Sequence, residues 1–379
     1  MLLPPLRPGL FLAPVFVVSL LASPVTAPAA RAAPAKGKGA APAPAKSPAP
    51  PGLPGAKPGE LAPLGKNDKP VSSHSPFGDG DCSLCHQGKD PVSPGPVSEK
   101  SNEVCFGCHE EYREYLAARP FKHRPAAESC THCHNPHNSL QPHLLVDDVT
   151  DLCLRCHEPL KKLLHASKVK HGAVTAGAKC MTCHTPHASS IENLLVKLPF
   201  DLCVECHAQD GMVNGSGRKM TNIKTLLEQN PSWHAPLAAK DCSVCHNPHG
   251  SEHFSLLSSQ YPAKFYAPYD RANYALCFEC HNDQVMSVPE TTTLTGFRDG
   301  SRNLHYLHVY KAVNGRTCRA CHEVHASKWP FHIRESVPYG SKGWLLKIDY
   351  ARQENGGTCA RSCHTSKTYD RSVKAPAKK

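Results

Sequence analysis

Large apolar side chains are scarce in this chain of 379 residues: aromatic residues make up 7% and hydrophobic residues 40%, against 36 prolines and 25 glycines. So little apolar material cannot close the two or three ordinary cores that the length alone would imply. Long apolar runs are lacking too. The one candidate, residues 10–22, is interrupted by Pro14 and is shorter than the roughly 20 residues a membrane span needs, so no transmembrane span is expected in the mature chain. No cysteine is left over, because all twenty fall into ten local pairs. A lipid-bearing cysteine near the N-terminus is therefore missing, and a disulfide framework would leave the histidine after every second cysteine unexplained.

The first 32 residues carry one early charge, Arg7, then the apolar stretch, then small residues at Ala30 and Ala32, the pattern of an export signal. Residues 33–73, rich in Ala, Pro, Lys and Gly, read as a semi-extended disordered linker, and 372–379 as a basic tail. The formal charge of +11 would invite a nucleic-acid partner, but acidic groups on a cofactor would cancel most of it, and none is expected.

Between these flanks, residues 74–371 repeat a unit two motifs long, five times. The first cysteines of the units are Cys82, Cys130, Cys180, Cys242 and Cys318, and the second motif of each begins at Cys105, Cys153, Cys203, Cys277 and Cys359. The offset is 23 residues in the first three units, then 35 and 41, with insertions at 255–274 and 328–350. The middle units agree most closely: CTHCHNPH at 130–137, Leu144-Leu145 and DLCLRCH at 151–157 match CMTCHTPH at 180–187, Leu194-Leu195 and DLCVECH at 201–207. Short helical stretches such as 110–118 and 221–229 are broken by proline and glycine, with a small hairpin near 344–350. The expected fold is mainly α with much irregular loop, short helices and little strand, its core supplied by cofactors.

In a CxxCH motif two thiols add across the vinyl groups of haem, and the histidine that follows reaches the iron. Nine sites have this form: Cys82, Cys85 and His86; Cys105, Cys108 and His109; Cys130, Cys133 and His134; Cys153, Cys156 and His157; Cys180, Cys183 and His184; Cys203, Cys206 and His207; Cys242, Cys245 and His246; Cys277, Cys280 and His281; Cys318, Cys321 and His322. The tenth, Cys359, Cys363 and His364, has one more residue between its cysteines. Zinc does not require histidine directly after the second cysteine, and ten such coincidences have a chance probability on the order of 10⁻¹². The motifs therefore point to ten covalently attached haems c.

A second protein ligand on each iron separates electron transfer from substrate activation. Fifteen histidines lie outside the motifs. Four follow a motif histidine by three residues (His137, His187, His249, His325), four precede a unit (His74, His123, His171, His234), and the last unit has His305 and His308 upstream, which makes ten candidate distal ligands. Lys89 stands where the first unit would carry its counterpart of His137, so that unit supplies only His74 and His305 must serve elsewhere. His132, His143, His165, His253 and His332 remain as alternatives.

With these residues in view, the chain resembles multihaem c-type cytochromes with doubled CxxCH motifs, similar in style to class III cytochromes. The resemblance spans 74–371. It implies bis-histidine haems in a continuous chain and no enzymatic activity. The decahaem periplasmic partners of outer-membrane porins share the haem count, with different motif surroundings. The function expected is electron relay in the cell envelope: the exported protein would work in the periplasm, at the outer membrane or outside the cell. It would stand between quinol-oxidising enzymes and an outer-membrane cytochrome or porin. A multihaem oxyanion reductase with one open haem is the alternative, although the CxxCK site of nitrite reductases is absent. Assembly into an oligomer or filament is compatible with relay.

Overall fold

Helices in this protein stop almost as soon as they start, because proline and glycine return every ten or so residues. The structure, a computed structural model, describes residues 68–99, 102–340, 343–359 and 363–372, all within the compact unit Leu53–Lys379. The export segment expected at 1–32 lies outside the described residues, as do most of the linker expected at 33–73 and all but the first residue of the tail.

The longest described helices, Glu158–Ala166 and Pro199–His207, have nine residues each. Glu110–Ala117 and Ile223–Gln229 form where helix was expected. The expectation of a mainly α fold is overturned: among the described residues helix, counting 3₁₀ turns, covers 35% and strand, counting isolated bridges, 19%, in many small sheets. The physical reason lies in how the units are joined. Helices this short cannot pack as a bundle, and the units meet instead through main-chain pairing.

Four antiparallel pairs of two-residue strands make those junctions. Ser72–Ser73 pairs with Asn138–Ser139, Phe121–Lys122 with Ala188–Ser189, Val169–Lys170 with Gly250–Ser251, and Ser232–Trp233 with Ala326–Ser327. Each joins the lead-in of one unit to the segment just past the first motif of the next. Strands so short show no alternation of apolar and polar residues, which hides them from a sequence reading.

The fifth unit is built differently. Its insertion folds into the hairpin Ser336–Tyr339 with Trp344–Lys347, followed by a three-stranded sheet of Ala351–Gln353, Gly356–Cys359 and Lys367–Asp370. Gly356 is obligatory there, since a Cβ on it would stand 1.8 Å from the carbonyl oxygen of Tyr369.

Conventional core is sparse. Leu257, Tyr261, Tyr274 and Val309 form one buried cluster, and Leu227, Leu237 and Ala326 another. Both lie in the later units. The earlier ones are held chiefly by main-chain bonds around their cysteine motifs.

The Leu-Leu element also has a specific shape. In units two to five a pair of successive residues takes left-handed backbone: His143 and Leu144, Asn193 and Leu194, Ser255 and Leu256, Phe331 and His332, all with φ between 53° and 59°. Residues with a Cβ pay about 1–2 kcal/mol each for that conformation. Replacing Ser255 by glycine should relieve one of these positions and stabilise the protein by about 1 kcal/mol. The check is a higher denaturant midpoint for Ser255→Gly than for the unchanged holoprotein.

Candidate functional site

A single helical turn brings the ends of each CxxCH motif together, because residues four apart lie on one face. The N–H of the motif histidine donates to the carbonyl of the first cysteine, as in His86 to Cys82 at 2.9 Å, His134 to Cys130 at 3.0 Å and His281 to Cys277 at 2.9 Å. In the first motif of every unit the imidazole is then oriented from behind. Its Nδ1–H donates to the carbonyl nine residues on: Gly95, His143, Asn193, Ser255 and Phe331 receive His86, His134, His184, His246 and His322 at 2.7 to 2.9 Å. The left-handed residues supply these carbonyls in units two to five, and Gly95, at φ 76°, does so in the first. Nε2 takes no part in that bond.

Opposite these rings stand others. His86 faces His137, His109 faces His74, His134 faces His187, His157 faces His123, His184 faces His249, His207 faces His171, His246 faces His325, His281 faces His234 and His322 faces His305. All nine pairs have ring centres 6.1 to 6.3 Å apart and planes within 26° of parallel. His364, in the tenth motif, lies near enough to His308 for its charge to act on that ring. Nine of the ten upstream and CHxxH histidines singled out in the sequence thus face one motif histidine each, and His308 lies near His364.

The junction strands produce this arrangement. Each places two of these histidines back to back through the main chain, the N–H of His74, His123, His171 and His234 donating to the carbonyl of His137, His187, His249 and His325 at 2.8 to 3.1 Å. Nδ1 of His74 and of His123 donates to the carbonyl of Pro136 and Pro186. In the last unit the helix Leu304–Val309 carries both His305 and His308. Asn303, fully buried, caps it through the N–H of His305 and Tyr306 and donates to the carbonyls of Val285 and Val288.

The remaining histidines are used otherwise. His143 supplies its carbonyl, the ring of His332 lies edge-on to His234 at 5.4 Å, and His132 Nδ1 reaches the carbonyl of Pro125 at 3.3 Å. His253 donates its main-chain N–H to Ser251, and His165 sits in the last turn of Glu158–Ala166.

Cysteines of successive motifs are neighbours in chain order. The thiols of Cys105 and Cys130, Cys153 and Cys180, Cys203 and Cys242, and Cys277 and Cys318 contact each other across the junctions. Within units Cys85 lies near Cys105 and Cys108, Cys133 near Cys156, Cys183 near Cys203 and Cys206, Cys245 near Cys277 and Cys280, and Cys321 near Cys359 and Cys363.

Residues 74–114, 123–162, 171–212 and 234–286 match a family model described as the doubled CXXCH motif. The chain carries that doubled motif four times. The fifth pair, with its long insertion and wider cysteine loop, lies outside the matched stretches. No curated protein matches the chain. The doubled motifs indicate covalently bound haem c and the electron-transfer chemistry of multihaem cytochromes. Among the described residues no helix is long and apolar enough to cross a membrane.

The residues fit such a group. Metal–imidazole bonds of about 2.0 Å on either side of one iron, with each ring centre roughly 1 Å further back, put two rings about 6 Å apart, the spacing seen in all nine pairs. Eleven of the rings are also held in the right protonation state. Burial lowers the pKa of His123, His137, His171, His187, His207, His234, His246, His249, His308 and His322, and takes His305 down to about 3, so these rings are neutral and keep a lone pair for iron. Among the described residues no three His, Cys, Asp or Glu side chains converge as a tetrahedral zinc site would require. Near the last motifs, buried Nε of Arg316 and Arg319 has no acceptor among the described residues, and an acidic group such as a haem propionate would match both. Glu323 is ionised: burial works to raise its carboxyl, but the His325 ring and Arg334 outweigh burial and hold it below the usual range.

Asn303→Ala removes a helix cap and strands two buried carbonyls, at a cost of about 3 kcal/mol. It should lower the denaturant midpoint by the corresponding amount, while Asn214→Ala, in an exposed turn, should move it far less.

Proposed function

We propose that the protein is a decahaem electron relay in which every iron is held between two histidines. Haem c supplies one-electron exchange at iron; the chain attaches it, orients both axial imidazoles and keeps successive attachment points adjacent. The observation that carries the reading is the recurrence of one spacing, 6.1 to 6.3 Å, in nine separate pairs of facing rings.

The pairing that follows is specific. The first haem of each of units one to four takes its distal ligand from the next unit: His137, His187, His249 and His325 serve the motifs of His86, His134, His184 and His246. The second haem uses the lead-in of its own unit: His74, His123, His171 and His234 serve His109, His157, His207 and His281. In the fifth unit His305 completes the haem of His322, and His308 that of His364. Lys89 fits this pairing, since the residues before Cys82 hold no CxxCH motif for a histidine at that position to complete.

The neighbouring cysteines support a single file of haems in sequence order. A ring opposite nine of the ten motif histidines, with His308 near the tenth, favours relay over oxyanion reduction, which requires an open side on one iron. The export-like residues 1–32 support a place in the cell envelope, periplasmic or external, with quinol-oxidising enzymes as donors and an outer-membrane cytochrome or porin as acceptor.

The purified ferric protein should contain ten haems by pyridine haemochrome, all low-spin by low-temperature EPR. His187→Ala should turn one haem in ten high-spin, whereas His143→Ala should leave the spectrum unchanged because only its carbonyl is used. A high-spin tenth in the unaltered protein would overturn the bis-histidine reading.

A further inference from the structure

The fourth CHxxH histidine has a neighbour that the other three lack. Between the motif histidine and the CHxxH histidine the chain reads Asn135-Pro136, Thr185-Pro186, Asn247-Pro248 and, in the fifth unit, Glu323-Val324. Asn135 and Asn247 turn Oδ1 back to the main chain, accepting the N–H of His137 at 3.0 Å and of His249 at 3.1 Å. Glu323, one carbon longer, reaches the ring instead: its Oε1 lies 3.6 Å from Nδ1 of His325. Its other oxygen, Oε2, is 2.7 Å from Nη2 of Arg334. Arg334 is fixed in turn, its Nε donating to the carbonyl of His322 and its main-chain N–H to that of Cys321, both at 2.9 Å. The side chains of Arg334 and Glu323 are only 12% and 21% exposed, so solvent screens this carboxylate weakly. The arginine aims one oxygen by holding the other.

We propose that Glu323 tunes the seventh haem, the one held between His246 and His325. A carboxylate at Nδ1 draws on the proton there and makes Nε2 a stronger donor to iron, which favours the ferric state. The seventh haem then has a lower reduction potential than those completed by His137, His187 and His249, whose CHxxH turns hold no carboxylate. The change concerns a one-electron exchange: the electron comes from one adjacent haem and passes to the other, with no bond made or broken. In a single file a low-potential member is a step that electrons travelling either way must cross. Glu323 is a positioning residue, acting on iron through His325.

The proposal rests on the axial pairing of His246 with His325, and the test separates the two. Holoprotein and its Glu323→Asn variant are titrated potentiometrically, followed by haem absorbance and low-spin EPR. Asparagine already occupies this position in two units, so the fold accommodates it. One tenth of the absorbance should move to higher potential while the rest stays in place. An unmoved curve with every haem low-spin overturns the role of Glu323 and leaves the pairing standing; high-spin iron in the unaltered protein overturns the pairing itself. Should Glu323→Asn lose haem, Asn247→Glu decides: one tenth of the absorbance moving to lower potential supports tuning from this position, and an unchanged curve overturns it.

Discussion

Two histidines joined through their main chains, the N–H of one on the carbonyl of the other, are the element on which this architecture turns. Each junction holds such a pair, as with His74 and His137, and sends the two rings to different motif histidines, His109 and His86. One short strand pair therefore does three things: it links two units, it completes two sites, and it fixes how far apart those sites can be. A chain with so little apolar side chain has few other means of holding neighbours in register. Two residues of ladder contribute only about 1 kcal/mol per hydrogen bond, so the junctions are weak alone. In the proposed reading metal–ligand bonds on both sides make them permanent, and folding and haem attachment become one process.

The same dependence explains the ends. In the proposed reading each unit of the repeating array borrows a ligand from the following unit and lends one to the unit before it. The first unit lends nothing, and Lys89 stands where the lent histidine would be. The fifth carries His305 within its own lead-in, on a helix capped by a fully buried asparagine. Those two departures, which make an uneven count when histidines are assigned unit by unit, become necessary once ligands cross unit boundaries. In this reading the array closes within one chain, and no histidine is left waiting for a second copy.

Much of the site was legible in the sequence because covalent chemistry demands fixed spacing: cysteines three apart and a histidine at the next position leave little freedom. The upstream and CHxxH histidines stood out for the same reason, recurring at constant offsets. Their partners did not, since a ligand delivered from the neighbouring unit has no local signature. The Leu-Leu element was visible as a repeat but not as a function: what it presents to His134 is the carbonyl of His143, and backbone geometry is not written in side-chain type. The fold class was misjudged on similar grounds. Two-residue strands have no period to detect, and the insertion in the fifth unit became a hairpin and a three-stranded sheet whose tight packing at Gly356 depends on contacts far along the chain.

Units one to four share the same histidine pairs and main-chain supports. Differences must come from where the sequence departs from its own pattern. The fifth unit departs most: Arg316, Arg319, Glu323 and Arg334 bring partly or fully buried charge to within reach of the rings and thiols of three proposed sites, those of His246, His322 and His364. Buried charge is costly unless paired or matched by an acidic group, and a unit that must in any case rebuild its ligand supply is the place where insertions can provide those matches. The terminal unit that closes the array is, by this reasoning, also the one able to make its haems unequal, and inequality along a file of haems is what gives electron flow a preferred course.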